Sequence, residues 1–310
     1  MLGMKRLAII ITTLFTLTAT ASAESDPKKV EARNLIANAS ICESYFSADN
    51  VDFFKKLIQD YSLVYAIKDH YLFSTVGNDG RESYPDIEVT NICSTRKTLP
   101  ITDILDTGKQ LSQIHIKGDL LYVMQTYPSV LQVISIKDIE NIQVLGEYRL
   151  DVGLGPNFAI EGQYAYIAVN KTLLILDVSS PSDIKKHTTV QLVFGEFDSD
   201  GIAVNNNQIF ITGNNVLKVI NKKTLKLIQE LNFDFRTSDV IVKNNYIYVL
   251  GWRNNFLGSK IAVLDFNDGQ TKLRNVVETE KRIFSFKLID NYLVGQEIFK
   301  ISKDGNLVRL

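Results

Sequence analysis

One apolar heptapeptide returns four times along the chain, at a spacing of about 44 residues. Its copies are VLQVISI (130–136), TLLILDV (172–178), VLKVINK (216–222) and KIAVLDF (260–266). A second pattern occurs six times: an apolar residue, one spacer, a dipeptide rich in Gly, Asn or Asp, and an alternating run. These six copies lie 38 to 49 residues apart and begin at Ile67, Ile116, Ile160, Val204, Val242 and Leu288. A chain with this repetition is restricted to architectures that stack one small unit many times.

Each copy of the repeat predicts four short β-strands. Because Gly, Asn and Asp tolerate positive φ, the dipeptide favours a two-residue hairpin turn between the first and second strands. The heptapeptide supplies a third strand, and segments such as IQVLGEYRL (142–150) and LKLIQELNF (225–233) supply a fourth. Four strands per repeat are typical of a β-propeller blade. The heptapeptide is apolar on both sides because each of its faces is expected to meet a neighbouring blade.

The predicted fold is an all-β propeller of six four-stranded blades with a short helical N-terminal extension. A seventh blade would have to come from residues 24–62, but apolar residues recur there at helical spacing. Those residues are Val51, Phe54, Leu57, Ile58 and Tyr61. The six blades are predicted at residues 63–110, 111–153, 154–197, 198–237, 238–282 and 283–310.

The first 23 residues have the pattern of a secretory signal peptide. A basic start at Lys5 and Arg6 precedes an apolar run over residues 7–17, and Ala21-Ser22-Ala23 forms a small-residue cleavage site. The apolar run has about a dozen residues and is too short to cross a bilayer, which needs about 20. We therefore expect an exported protein, periplasmic or secreted, without a transmembrane segment and with a mature chain that begins near Glu24.

Charge and cysteine content exclude some classes of partner. The chain has 34 basic and 35 acidic residues and a formal net charge of −1, so no global field attracts nucleic acid. The two cysteines, Cys42 and Cys93, would favour a disulfide in an oxidising compartment. The alternative is a pair of separate buried thiols.

The third repeat resembles a known family. The stretch EGQYAYIAVNKTLLILDVSSPSDIKK (161–186) is similar to the LVIVD repeat of exported bacterial and archaeal propellers. The residues at the family's places are Tyr164, Tyr166, Ile175, Asp177, Val178 and Pro181. The resemblance implies a propeller and a periplasmic or cell-surface setting. It implies no defined activity, because the repeat itself is structural.

Candidate binding residues fall in loops that should share one rim of the propeller. The turn before each first strand and the loop between the second and third strands converge on the mouth of the central channel. The only tryptophan, Trp252, and Arg253 lie in one such loop, and Trp and Arg are enriched at binding hot spots. The alternative is that Trp252 packs over a neighbouring blade. The other candidates on this rim are Tyr84, Tyr127, Asn157, Arg236, Asp239 and Arg282.

Metal and proton-transfer chemistry have weaker signals. Asp198 and Asp200 have a spacing seen in calcium loops, but no distal Glu follows, and a solvated turn is the favoured interpretation. The three histidines share no zinc-ligand spacing. One of them, His115, lies on a predicted first strand, either as a structural histidine or as a proton carrier in the channel. No cofactor is predicted.

The sequence predicts a non-enzymatic exported propeller that binds another exported or cell-surface protein, or a surface polymer, through its loop-rich face. No catalytic residues are assigned. The alternative is a propeller enzyme, hydrolase or quinoprotein-like, whose residues come from several blades and meet at the channel mouth. Such residues need no common motif, so the linear sequence does not distinguish the two functions.

Overall fold

A computed structural model describes residues 65–68, 71–75, 87–91, 99–100, 111–126, 128–151, 157–169, 171–192, 199–253, 258–267 and 269–310. All regular structure in these ranges is β-strand. The strands are β1 (Tyr65–Lys68), β2 (Tyr71–Thr75), β3 (Ile87–Asn91), β4 (Leu99–Pro100), β5 (Leu111–Lys117), β6 (Leu120–Thr126), β7 (Ser129–Ser135), β8 (Gln143–Arg149), β9 (Asn157–Glu161), β10 (Tyr164–Val169), β11 (Thr172–Asp177), β12 (Lys185–Gln191), β13 (Gly201–Val204), β14 (Gln208–Gly213), β15 (Val216–Asn221), β16 (Leu227–Asn232), β17 (Arg236–Lys243), β18 (Tyr246–Trp252), β19 (Ser259–Asn267), β20 (Gln270–Glu278), β21 (Lys287–Ile289), β22 (Tyr292–Val294), β23 (Ile298–Ile301) and β24 (Leu307–Arg309).

These strands form six four-stranded antiparallel sheets, in which each strand is bonded to the next one along the chain. The turns between first and second strands are the predicted hairpins. Their first residue has positive φ in four sheets, which explains the choice of Gly, Asn or Asp at that place. These residues are Gly118 (58°), Gly162 (57°), Asn244 (53°) and Asp290 (49°).

The third strand of a sheet is buried on both faces, as the apolar heptapeptide predicts. In β11 the side chains of Leu174 and Leu176 pack with the sheet β5–β8. Those of Leu173 and Ile175 point to the other side and pack with the sheet β13–β16. Because neighbouring side chains of a strand point to opposite faces, one strand contributes to two hydrophobic clusters. The sheets are therefore stacked side by side as propeller blades.

The predicted all-β propeller with four-stranded blades is confirmed. Five sheets, from β5 to β24, are described with nearly all their turns, whereas the first sheet is described in its strands alone. The number of blades therefore stays a prediction. The fifth sheet begins with β17 at Arg236, which pairs with Trp252 of β18.

Several predictions concern residues outside the described ranges. These are the signal peptide at 1–23, the helical extension at 24–62 and the disulfide between Cys42 and Cys93. Within the described ranges there is no helix. Accordingly, no helix in this part of the chain is long and apolar enough to span a membrane.

Candidate functional site at the mouth of the central channel

A cavity of about 780 Å³ lies where the first strands of all six sheets meet. Residues of β1, β5, β9, β13, β17 and β21 line it, together with the segment that precedes β21. This cavity is the central channel of the propeller. Its polar and aromatic lining includes His115, Asn157, Asp200, Asp239, Phe284 and Lys287.

The first strands present the channel with a polar layer and a layer of mostly small side chains. Alternate residues of a strand point to the same side. The fifth residue before each hairpin turn forms the polar layer: Gln113, Asn157, Gly201, Asp239 and Ser285. The third residue before the turn forms the other layer: Ala66, His115, Ala159, Ala203, Ile241 and Lys287. His115 and Lys287 are the polar members of the second layer, between alanines and one isoleucine.

The polar layer ties neighbouring first strands together. Gln113 Oε1 accepts a hydrogen bond from the backbone N–H of Phe158 at 2.7 Å. Asn157 Nδ2 donates to the backbone oxygen of Asp200 at 2.6 Å. At Gly201 the neighbouring strand comes so close that an added Cβ would lie 2.8 Å from the Cα of Asp239. Side-chain hydrogen bonds and one close backbone contact thus hold the channel wall together.

Two β-bulges occur at equivalent places in the second and fifth sheets. The register of β5 shifts between Leu111 and Gln113, leaving Ser112 as the extra residue. The register of β17 shifts in the same way around Ser238. Each serine hydroxyl donates to a backbone oxygen of the second strand at 3.4 Å. Because a bulge turns the side chains beside it, these two bulges direct Gln113 and Asp239 to their positions in the wall.

Asp239 and Lys287 bring opposite charges into the channel. Burial raises the pKa of the Asp239 carboxyl, while Lys287 and hydrogen bonds from the backbone of Val240 and Phe286 act in the opposite direction. Burial also lowers the pKa of the Lys287 ammonium, and Asp239 partly offsets this. Each charged form is disfavoured by loss of water and favoured by the other group. Among the described residues no direct ion pair joins them, so the attraction acts across the channel.

His115 is neutral at pH 7. Burial, and then the charge of Lys287, lower the pKa of His115 from 6.5 to about 3, although a hydrogen bond to the backbone of Phe158 opposes the shift. Its ring lies 4.7 Å from the ring of Phe158 in an edge-to-face arrangement. Within the described part of the chain, the enclosed Nε2 atom has no hydrogen-bond partner. His115 therefore lines the channel as a neutral imidazole, with its Nε2 atom covered.

Beside the channel mouth, aromatic and cationic side chains form a rim cluster: Trp252, Arg236, Arg282 and Phe284. The guanidinium of Arg282 lies 4.2 Å from the centre of the Trp252 ring and 4.8 Å from that of Phe284. That of Arg236 lies 5.9 Å from the Trp252 ring. The Trp252 indole N–H donates to the backbone oxygen of Ile283 at 3.2 Å. Arg236 and Phe284 are the exposed members. Phe284 is 47% accessible to solvent and also lines the channel cavity.

The structure distributes the predicted binding residues over three places. Asn157 and Asp239 lie in the channel wall. Arg236, Trp252 and Arg282 form most of the rim cluster. Arg253 instead makes an ion pair of 2.5 Å with Glu278. Tyr84, Tyr127 and Asp198 lie outside the described residues. Asp198 is one of the two residues of the weak calcium candidate.

The other residue of that candidate, Asp200, lies in the channel wall. In the described ranges no three or more His, Cys, Asp or Glu side chains form a group that could hold a metal ion. Sequence reasoning missed Lys287 and Phe284, which no motif distinguishes. It also missed the bulges, although they had a signal: LSQIHIK and TSDVIVK carry Ser before a polar residue at equivalent places.

The fold and the channel define the protein as a β-propeller. The LVIVD repeat model matches residues 154–190, which include most of β9–β12, and residues 236–257, which include β17 and β18. The β-propeller therefore contains LVIVD repeats, as the third repeat predicts. A search of curated proteins found no match.

Solved structures with the same fold come from unrelated settings. A protein from Lactobacillus plantarum is 15% identical, with a TM-score of 0.58 over 77% of this chain and 80% of that chain. A putative 6-phosphogluconolactonase from Bacteroides fragilis is 10% identical, with a TM-score of 0.57 over 79% and 82%. A chain of the mitotic checkpoint complex is 10% identical, with a TM-score of 0.56 over 78% and 71%. At such identities the similarity concerns the fold and not the activity.

Proposed function

We propose that this propeller is an exported, non-enzymatic binding protein, which holds another exported or cell-surface protein, or a surface polymer, through its loop-rich rim. The observation that carries the proposal is the position of Phe284. An aromatic side chain with 47% of its surface exposed stands beside Arg282 and Trp252 at the channel mouth. Aromatic residues and Arg are the types most enriched at the energetic centres of interfaces.

The rim cluster is also ordered before any partner arrives. The hydrogen bond from Trp252 to Ile283 fixes the indole, and the Arg282 guanidinium lies within cation–π distance of two rings. Side chains that are already held lose little conformational entropy on binding. Phe284, supported by the Arg282 guanidinium and the Trp252 ring, thus forms a rigid surface for a partner.

Cross-linked pull-downs from the native exported fraction test the proposal. Phe284→Ser removes the exposed ring without changing the hydrogen bond of Trp252. The matched control is Val308→Ser, which removes an apolar side chain that is 51% exposed on the outer strand of the same sheet. We expect wild type and Val308→Ser to capture the same partner and Phe284→Ser to lose it. Equal capture by all three, or by none, would remove the rim cluster from the proposal.

A propeller enzyme, hydrolase or quinoprotein-like, with a site at the channel mouth is the second candidate. It is favoured by the meeting of His115, Asp239 and Lys287 in one cavity, since such groups can transfer protons. Assays with ester, lactone and alcohol substrates separate the two functions. Turnover by wild type that His115→Gln and Asp239→Asn abolish, but Phe284→Ser retains, would support the enzyme. Absence of turnover with every substrate leaves the binding function as the better account.

We also propose that the six sheets close into a ring of six blades. Support comes from the first strands of all six, which line the same cavity. An experimental structure with five or seven blades around the channel would contradict this closure.

A further inference from the structure

We propose that the central channel binds a small hydroxylated monocarboxylate, such as a sugar acid, between Lys287, His115 and Asp239. This site lies inside the channel and goes beyond the proposed function, which concerns a macromolecule on the rim. The cavity of about 780 Å³ falls within the range of small-molecule sites, roughly 300–1,000 Å³. A single hexuronate would fill part of it.

The ligand is expected to be an anion because of Lys287. Its ammonium lies in the channel wall and makes no hydrogen bond or direct ion pair with any described residue. A partly buried cation without a direct partner loses hydration that nothing in the wall replaces. A ligand carboxylate at Nζ would provide both the missing charge and the missing acceptors. In the layer of Lys287 the other first strands carry alanine or isoleucine, apart from His115, so the layer has room for such a group.

The ligand is expected to carry a hydroxyl group because of His115. Its Nε2 is enclosed and lacks a partner among the described residues, while its ring is held against Phe158 and hydrogen-bonded to the backbone of Phe158. A neutral imidazole with one nitrogen engaged leaves the other as an acceptor. Nε2 is covered in the structure, so a small turn of the ring must accompany donation by a ligand hydroxyl, a bond that a carboxylate does not make. His115 and Lys287 line the same cavity, so one small molecule can reach both.

Asp239 restricts the charge of the ligand. Its two oxygens accept backbone hydrogen bonds from Val240 and Phe286 at 2.8 and 3.3 Å, which fixes the carboxylate in the wall. It can accept further bonds from ligand hydroxyls, but it repels a second negative charge. Asp200 in the same cavity adds to that repulsion. A monocarboxylate is therefore favoured over a phosphate ester.

Calorimetric titrations of the purified full chain with three probes test the site. D-Glucuronate carries the carboxylate and the hydroxyls, D-glucose lacks the charge, and D-glucose 6-phosphate carries two charges. We expect glucuronate to bind at least tenfold more tightly than the other two. Equal affinity for glucose and glucuronate, tighter binding of the phosphate ester, or no binding of glucuronate would each overturn the proposal.

Variants separate the site from general effects. Lys287→Met should weaken glucuronate binding at least tenfold, whereas Lys300→Met, an exposed lysine of the same sheet, should leave it unchanged. If Lys287→Met does not fold, the titrations of wild type with the three probes still decide the proposal. With three histidines in the chain, the ring signals in NMR spectra can be assigned with His115→Gln, and glucuronate should shift that of His115 alone. No shift of that signal would contradict the site. Phe284→Ser should bind glucuronate as tightly as wild type does. A negative pull-down result for the rim cluster would therefore not count against the channel site.

Discussion

The carboxylate of Asp239 accepts a hydrogen bond at 3.3 Å from the backbone N–H of Phe286, which immediately precedes the first strand of the next sheet. Gln113 does the same for Phe158 at 2.7 Å, three sheets earlier. A residue of the channel wall therefore serves two purposes. It joins two blades, and it presents its remaining polar surface to whatever enters the channel.

Asp239→Ala should destabilise the fold by about 1–3 kcal/mol, because it leaves two backbone N–H groups without their acceptor. It also removes the charge that favours the Lys287 ammonium. Urea unfolding monitored by circular dichroism measures the loss. Asp239→Asn keeps one acceptor and should lose less. If Asn is as damaging as Ala, the charge toward Lys287 matters more than the hydrogen bonds.

A surface carboxylate serves as the control for that series. Asp234 forms an exposed ion pair of 2.6 Å with Lys260, and such pairs contribute about 0–1 kcal/mol. Asp234→Ala should therefore change the unfolding free energy by less than about 1 kcal/mol. An equal loss at Asp234 and Asp239 would contradict the role of Asp239 in joining the blades.

Stability should fall as the pH is lowered from about 6.5 toward 3 because of His115. The pKa of His115 is lowered from 6.5 to about 3 in the folded protein, so in this window the unfolded chain binds a proton that the folded chain does not. The stability lost is at most ~1.4 kcal/mol per pH unit. Unfolding free energies at several pH values measure the slope for wild type and His115→Gln.

His115→Gln should have a shallower pH dependence, whatever its absolute stability. Asp239 acts in the opposite direction, because its raised pKa adds stability as the pH falls through its titration. Both proteins contain Asp239, so the difference between their slopes belongs to His115. Identical slopes would mean that the pKa of His115 is the same in the folded and the unfolded chain, and would contradict its burial in a neutral form.

Leu176→Ala should destabilise the protein by about 2–5 kcal/mol, because it opens a cavity between two blades. Leu176 is 0% exposed in the cluster shared by the sheets β5–β8 and β9–β12. The control is Leu273→Ala on the outer strand β20, where the side chain is 45% exposed and its loss should cost well under about 1 kcal/mol. Chemical denaturation compares them, and similar losses would contradict the stacked arrangement.

Mass spectrometry of the exported protein should find Glu24 as the first residue. The reason is the small-residue pattern Ala21-Ser22-Ala23, which signal peptidases require at the cleavage site. Ala23→Arg should leave the precursor uncleaved, whereas Thr18→Ser, inside the apolar region, should be processed normally. A protein isolated from the cell with its first 23 residues intact would contradict export.

The repeat carries enough information to predict the blades but little to predict the site. The Gly-Asp and Asn-Asn dipeptides give the hairpins at Gly118 and Asn244, because positive φ is a local requirement of the turn. The apolar heptapeptides give the third strands, because both of their faces must be covered. These are properties of single segments, and they can be read from a few consecutive residues.

The candidate site depends on residues that meet only when blades assemble. Lys287 lies in the sequence FKLID with no motif around it, and it becomes noticeable because its strand joins those of His115 and Asp239 in one cavity. Trp252 and Arg282 are 30 residues apart in sequence but 4.2 Å apart in space. The sequence left two alternatives for Trp252, a binding residue on the rim or a residue packed over a neighbouring blade. The structure combines them, because the indole is hydrogen-bonded to the backbone of Ile283 and still belongs to the rim cluster.

The direction of the contacts between first strands has a consequence for how the molecule is made. Gln113 and Asp239 each belong to the earlier blade and accept an N–H group of the blade that follows it in the chain. At Asn157 the earlier blade carries the donor instead. At each of these three junctions the earlier blade thus already carries the side chain that bonds to the next blade. Each blade can be received by the one that precedes it, so the order of synthesis is also a feasible order of folding.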